Sequence, residues 1–178
     1  NYHISTAMGS GYEPGADWIE WGSGSSGWLY KYQMKGLRAQ MYGLESDLRY
    51  ELNTLIYVGG SISVTRGDNL SQNRPLEYMP PDKVQLSTGF DLNPLYISLN
   101  LKKVFPQTRL GEFETRTEGF MIFDLNGSYT IHSSNISHKF IFQLDNIFNE
   151  VYYNHLSRLK TIMPEKGRSL NIQYRIVF

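Results

Sequence analysis

In the closing stretch of the chain Leu170, Ile172, Tyr174, Ile176 and Phe178 alternate with Ser169, Asn171, Gln173 and Arg175, and only Val177 breaks the rhythm. A repeat of two turns successive side chains to opposite sides, so this segment reads as a β-strand with one apolar and one polar face. The same pattern recurs upstream. Leu95-Tyr96-Ile97-Ser98-Leu99-Asn100-Leu101-Lys102 keeps it, and Phe123–Ile131 keeps it through Gly127. Tyr42, Leu44, Leu48, Tyr50 and Leu52 alternate with Gly43, Glu45, Asp47, Arg49 and Glu51, charges that a helix would scatter around its whole circumference. Ile56–Val64, Val84–Phe90 and Phe140–Leu144 supply three more strands, and Asn1–Met8 a weaker one. The expectation is an all-β chain, an antiparallel up-and-down meander of about eight strands.

The connections alternate in length. Long polar stretches run at Gly9–Gly27, Arg66–Asp82, Phe105–Gly119 and Asn149–Gly167, and between them lie short joins at Asn53-Thr54, Leu92-Asn93-Pro94 and His132–Ser137. In a meander, alternate connections fall at opposite ends, so one end carries every long loop. Outer-membrane barrels have this asymmetry. The longest apolar runs, Leu55–Val58 and Phe120–Phe123, fall far short of the roughly 20 residues of a spanning helix, whereas a transmembrane strand needs only about 9–11, half of them polar. Thirteen Tyr and nine Phe suit strands and membrane interfaces. With Asn1 in place of an initiator Met, the sequence reads as a fragment or processed piece.

Composition removes several function classes. Seventeen basic and seventeen acidic residues cancel, leaving no positive field to hold a nucleic-acid backbone. The absence of cysteine excludes thiolate metal sites, disulfides and a cysteine nucleophile. The four histidines, His3, His132, His138 and His155, form no HExxH, although His132 and His138 flank an expected turn that would bring them together on closing. No GxSxG, no phosphate-cradling glycine loop and no paired carboxylates in a catalytic setting are found. Neither an enzyme nor a bound cofactor is expected. The Arg66-Gly67-Asp68 tripeptide is too short a match to carry an argument.

Candidate binding residues lie in the long stretches. Trp18 and Trp21, with Tyr12 and the nearby Trp28, sit among glycines and serve either to stack on a ligand or to anchor strand ends at an interface. Arg66, Arg109, Arg116 and Arg158, with Tyr78, Tyr153 and His155, would make a basic, aromatic mouth for an anionic or catechol-like ligand. Glu77, Asp82, Glu112, Glu114, Glu118, Glu150 and Glu165 share those loops, so a solvated surface of mixed charge is the alternative.

Asn146-Ile147-Phe148-Asn149 followed by Tyr152, then Pro164-Glu165-Lys166-Gly167-Arg168 opening the last strand, then a terminal Phe178, resemble the end of a TonB-dependent outer-membrane receptor. Met41-Tyr42-Gly43-Leu44-Glu45, preceded by Ala39, is similar to a pattern on an earlier strand of that family. The resemblance implies a transmembrane barrel of about 22 strands with a plugged lumen, of which residues 1–178 would form the C-terminal segment, without the plug. It further implies uptake of a ferric siderophore or similar metal chelate. Outer-membrane lipid would be one partner, and the TonB complex, reached through the absent N-terminal region, another.

A wide hydrated lumen suits Asp47, Arg49, Lys102, Asp124, Gln143, Gln173 and Arg175, which would need near-complete pairing if buried dry. Two alternatives remain open from the residues alone. A self-contained eight-stranded barrel requires Asn1–Met8 to pair with Leu170–Phe178. A soluble ligand-binding barrel requires the apolar stripes to turn inward.

Overall fold

The computed structural model describes residues 36–112 and 114–178, together with the backbone of four short segments before them. Those segments form two antiparallel ladders, β1 (Tyr2–Ser5) with β4 (Gln33–Gly36) and β2 (Trp18–Glu20) with β3 (Trp28–Tyr30). The main sheet comprises β5 (Ala39–Glu51), β6 (Ile56–Asn69), β8 (Lys83–Asp91), β9 (Leu95–Val104), β10 (Phe120–Ser133), β11 (Ile136–Asp145) and β12 (Ser169–Val177). The two-residue β7 (Arg74–Pro75) adds to the end of β6. Each long strand pairs antiparallel with its sequence neighbour, so the sheet is the expected meander. The eighth expected strand, Asn1–Met8, lies largely outside the described residues. Its Tyr2–Ser5 backbone pairs with Gln33–Gly36, whereas β12 pairs with β11, which is not the closure that a self-contained barrel requires.

Directly opposed residues in an antiparallel ladder share a face, and the register therefore assigns every side chain in the sheet. The row Tyr50, Val58, Thr88, Leu99, Leu125, Leu144, Leu170 crosses the sheet from β5 to β12 and is apolar except for one threonine. The next row, Glu51, Tyr57, Gly89, Ser98, Asn126, Gln143, Asn171, crosses the same strands on the opposite side and is polar but for one tyrosine and one glycine. All seven of the polar residues assigned above to a lumen fall on that second side.

The apolar side is uncovered: Leu48 is 69% and Ile172 71% exposed. Leaving such side chains in water forgoes about 1.5–3 kcal/mol each, and a contiguous apolar face of this extent marks an interaction or membrane surface. The buried hydrophobic cluster is small by comparison. It consists of Val104, Phe120 and Ile122, with Tyr152 packed against it, at the long-loop end of the polar side. The hollows of the sheet also lie on the polar side. One of about 350 Å³ is lined by Asp47, Arg49, Tyr57, Asn100, Lys102 and Asp124 among others. The soluble-barrel alternative, with apolar side chains packed inside, is the reverse of this arrangement.

Strand ends depart from expectation where a partner strand continues. β6 was expected to stop at Val64 but runs to Asn69, because β5 begins at Ala39 and offers ladder partners that far. β10 and β11 close through the two-residue turn Ser134-Asn135, with Ser134 at φ 51°, where a longer join was expected. His132 then faces Ser137 and His138 faces Ile131, which puts the two histidines on opposite sides of the hairpin. Their expected meeting does not occur. His132 Nδ1 lies 2.9 Å from Ser137 Oγ, and His138 Nδ1 2.7 Å from Tyr174 Oη.

The motif residues act as a clasp after β11. Asn146, at φ 51° and 3% exposed, receives Glu150 N–H on Oδ1 and donates from Nδ2 to Glu150 O, both at 2.9 Å. Its own N–H donates to Asp124 Oδ1 at 2.8 Å. Asn149 Oδ1 accepts the Arg168 N–H at 2.9 Å, and a Cβ on Gly167 would stand 2.8 Å from that oxygen. A side chain at 167 would push the Asn149 amide off this bond. Gly43 of the β5 motif is required for a firmer reason, since a Cβ there would lie 2.5 Å from the Val64 carbonyl oxygen, a backbone atom held in the ladder.

Candidate functional site

The meander places the loops 70–82, 105–119 and 146–168 at one end of the sheet. They are cross-braced, and the middle loop carries most of the bonds. Gln107 exchanges backbone hydrogen bonds with Thr117 at 3.0 and 3.4 Å and donates from Nε2 to Met79 O at 2.9 Å. Glu114 accepts the Tyr78 N–H on Oε1 at 2.7 Å and the Gly111 N–H on Oε2 at 2.8 Å. Arg74 pairs with Glu112 across the first two loops, and Lys160 Nζ donates to Thr115 O at 3.0 Å across the last two.

His155 is the most enclosed large side chain of the assembly, 2% exposed. Nδ1 lies 2.8 Å from Thr117 Oγ1 and 3.2 Å from Lys160 Nζ. An ammonium only donates, so Nδ1 is the accepting nitrogen and the proton sits on Nε2. Nε2 stands 3.3 Å from Glu114 Oε1 without aligned hydrogen-bond geometry, and the contact is one of charge with a ring dipole. Burial pushes the His155 pKa below its ordinary value; the Lys160 charge adds to this, while Glu114 opposes it. Burial also lowers the pKa of Lys160.

The sign of the pH effect follows. An imidazole whose folded pKa is depressed gains protons first in the opened state, so its contribution is full above about pH 6.5 and weakens as pH falls below it. Protection against hydrogen exchange in 105–119 and 146–168, corrected for the intrinsic pH dependence of the exchange rate, is therefore expected to weaken between pH 7 and pH 5. His155→Gln, which cannot titrate, is expected to flatten that dependence. Equal pH profiles for the two proteins would show that the ring is not the titrating group.

The candidate residues are distributed unevenly. Trp21 lies outside the described residues, and Trp18 falls in β2, of which the backbone alone is described. Arg66 belongs to β6, opposite Tyr42 on the apolar side, and grips Asp82 with both guanidinium nitrogens, one at 2.6 Å. Arg109 Nη2 pairs with Asp68 at 2.5 Å. Arg116 pairs with Glu118 at 3.1 Å in the open, and Arg158 is exposed. Tyr78, at φ 58°, is exposed and shares Glu114 with His155. Tyr153 and His155 line a hollow of about 310 Å³ with Thr117, Phe120, Tyr152 and Glu165. The structure thus brings Tyr78, Tyr153 and His155 to one region and holds Arg66 and Arg109 in ion pairs elsewhere. Gln107, Glu114 and Thr117, which organise the site, carry no sequence pattern of their own.

No protein-family model matches the chain. Among solved structures, the copper transporter OprC superposes with a TM-score of 0.71 at 24% identity, covering 79% of this chain and 24% of that one. A chain in the structure of the FpvAI–pyocin S2 complex superposes with a TM-score of 0.59 at 19% identity, covering 83% of this chain and 20% of that one. At these identities the likeness is one of fold, and this chain spans a quarter or less of either structure's chain. Seven meandering strands, with one mainly apolar and one polar side and looped at one end, share the fold of a portion of each of these two structures.

Proposed function

We propose that residues 1–178 are the C-terminal barrel segment of a TonB-dependent outer-membrane receptor that takes up a metal ion or metal chelate. The observation that carries this is the division of the sheet into an exposed, mainly apolar side and a hollow polar side. Hydrocarbon is the solvent that suits the first, and a hydrated lumen suits the second. The loop end would face outward and meet the ligand. Tyr78, Tyr153, Arg116 and Arg158 present exposed phenol and guanidinium groups there, suited to an anionic chelate. His155 would act indirectly, by holding the loops that carry them. The plug and the segment that engages TonB belong, in this reading, to another part of the receptor. The likeness to a copper transporter and the resemblance of the closing motifs to TonB-dependent receptors both favour metal as cargo.

The test uses the full-length protein in an outer membrane, with Cu(II) and a ferric hydroxamate each supplied as the sole source of its metal. Accumulation of one of them is expected to depend on both the protein and TonB, and to drop in a Tyr153→Ala/Arg158→Ala variant that still inserts. Normal insertion with no effect on either metal would overturn the assignment of cargo.

A further inference from the structure

Lys102 and Lys103 are consecutive in β9 and so stand on opposite sides of the sheet. Lys102 is on the polar side, its Nζ 6.0 Å from the centre of the Phe120 ring. Lys103 is on the apolar side, directly opposite Val84 of β8 and Met121 of β10. Within the described long strands, the apolar side carries two other charged residues, Arg66 and Asp68. Both are neutralised, by Asp82 and Arg109 respectively. Lys103 makes no ion pair among the described residues.

All three of these charges sit at the long-loop end. At the short-turn end the same side presents Tyr50, Tyr129 and the hydrogen-bonded His138 and Tyr174. Among the described residues, the long-loop rim of the apolar surface therefore bears an unneutralised cation that the short-turn rim lacks.

Arg168 brings a second cation to the charged rim. It directly precedes β12, and its Nη1 lies 3.5 Å from Ile147 O, the carbonyl joined to Phe148. Phe148 is 72% exposed and meets Phe123 edge-on, with ring centres 5.1 Å apart. Phe123 belongs to the apolar side, so Phe148 extends that surface beyond the end of the strands.

We infer that Lys103 and Arg168, on either side of Met121, Phe123 and Phe148, form a seat for the phosphate headgroup of an acyl lipid in the loop-side leaflet. The inference rests on the reading of the apolar side as lipid-facing. Continuity selects a lipid as the occupant: the cations stand at the edge of an uncovered hydrocarbon-like surface, where a single molecule offers acyl chains to Met121, Phe123 and Phe148 and a phosphate to the two cations. Long basic side chains at such a rim reach the headgroup region with their stems in contact with apolar surface, and a guanidinium pairs with phosphate through parallel hydrogen bonds.

The test uses the full-length protein in phosphatidylcholine nanodiscs, with phosphatidic acid or the matching diacylglycerol as a minor component and retention of the labelled minor lipid as the readout. Phosphatidic acid is expected to be retained over diacylglycerol, with affinity lost by about fivefold for each of the two charges removed in Lys103→Gln/Arg168→Gln. Lys102→Gln, one residue away on the other side, is expected to bind as the parent does, and Lys103→Arg to keep binding. Equal retention of the two lipids overturns the seat, as does an unchanged Lys103→Gln/Arg168→Gln protein. Full competition by inorganic phosphate would make it a simple anion site and likewise overturn it. Failure of the parent protein to enter nanodiscs at all would instead strike the membrane assignment, which separates the two failures.

Discussion

Leu99→Arg is expected to destabilise the protein in a bilayer by roughly 2–4 kcal/mol, while Asn100→Arg, one residue further along the same strand, stays within about 1 kcal/mol of the parent. Leu99 sits near the middle of β9 and faces the apolar side, opposite Thr88 and Leu125. A guanidinium there has no partner within the row and must be carried in hydrocarbon or drag water and headgroups toward it. Asn100 faces the polar side, opposite Ser87 and Asp124, and lines the hollow of about 350 Å³. An arginine there has water and the Asp124 carboxylate within reach. Urea unfolding of the full-length protein from lipid vesicles measures both. The contrast matters more than either value: a soluble barrel with its apolar side packed inside would also suffer at Leu99, but would do so in detergent-free buffer, where the parent would be monomeric and folded. Equal costs at the two positions would contradict the two-sided reading altogether.

That reading was available from the sequence because facing is a local property of a strand. The alternation through Leu95–Lys102 or Leu170–Ile176 needs no knowledge of neighbours, and the ladders merely align the stripes. Strand ends and contacts between loops are different, because they depend on what lies alongside. Arg66-Gly67-Asp68 has the chemistry of a turn, yet it is drawn into β6 because β5 starts early enough to pair with it. Its arginine thus leaves the ligand mouth for an ion pair with Asp82 on the apolar side. His132 and His138 show the same dependence on register. With His132 facing Ser137, the next pair is Ile131 with His138, and a single step sends the two rings to opposite sides. The bracing by Glu114 was hidden for a third reason. It joins Tyr78, Gly111 and His155 from three loops, and nothing in a lone glutamate among seven acidic loop residues marks it out.

Asn146→Ala is expected to cost about 3 kcal/mol or more, an effect out of proportion to a small polar residue beyond the end of a strand. Two causes add. The side chain satisfies both the N–H and the C=O of Glu150 through part-buried contacts, and losing two such hydrogen bonds costs about 1–3 kcal/mol together. The backbone at φ 51° lies in the left-handed region, which asparagine tolerates and alanine adopts at a cost of roughly 1–2 kcal/mol. Asn146→Gly separates the two, because glycine accepts the dihedral but supplies neither bond. It is expected to fall between the parent and Asn146→Ala. The consequence should reach past residue 150. The same element positions Phe148 against Phe123 and Asn149 against the Arg168 N–H, the bond that fixes where β12 begins. Proteolysis of 146–168 in the folded protein should therefore accelerate in both variants, ahead of any loss of the sheet. A loop that resists protease as well in Asn146→Ala as in the parent would mean that β12 finds its register without the clasp, by the pairing of Leu170, Ile172 and Tyr174 with β11 alone.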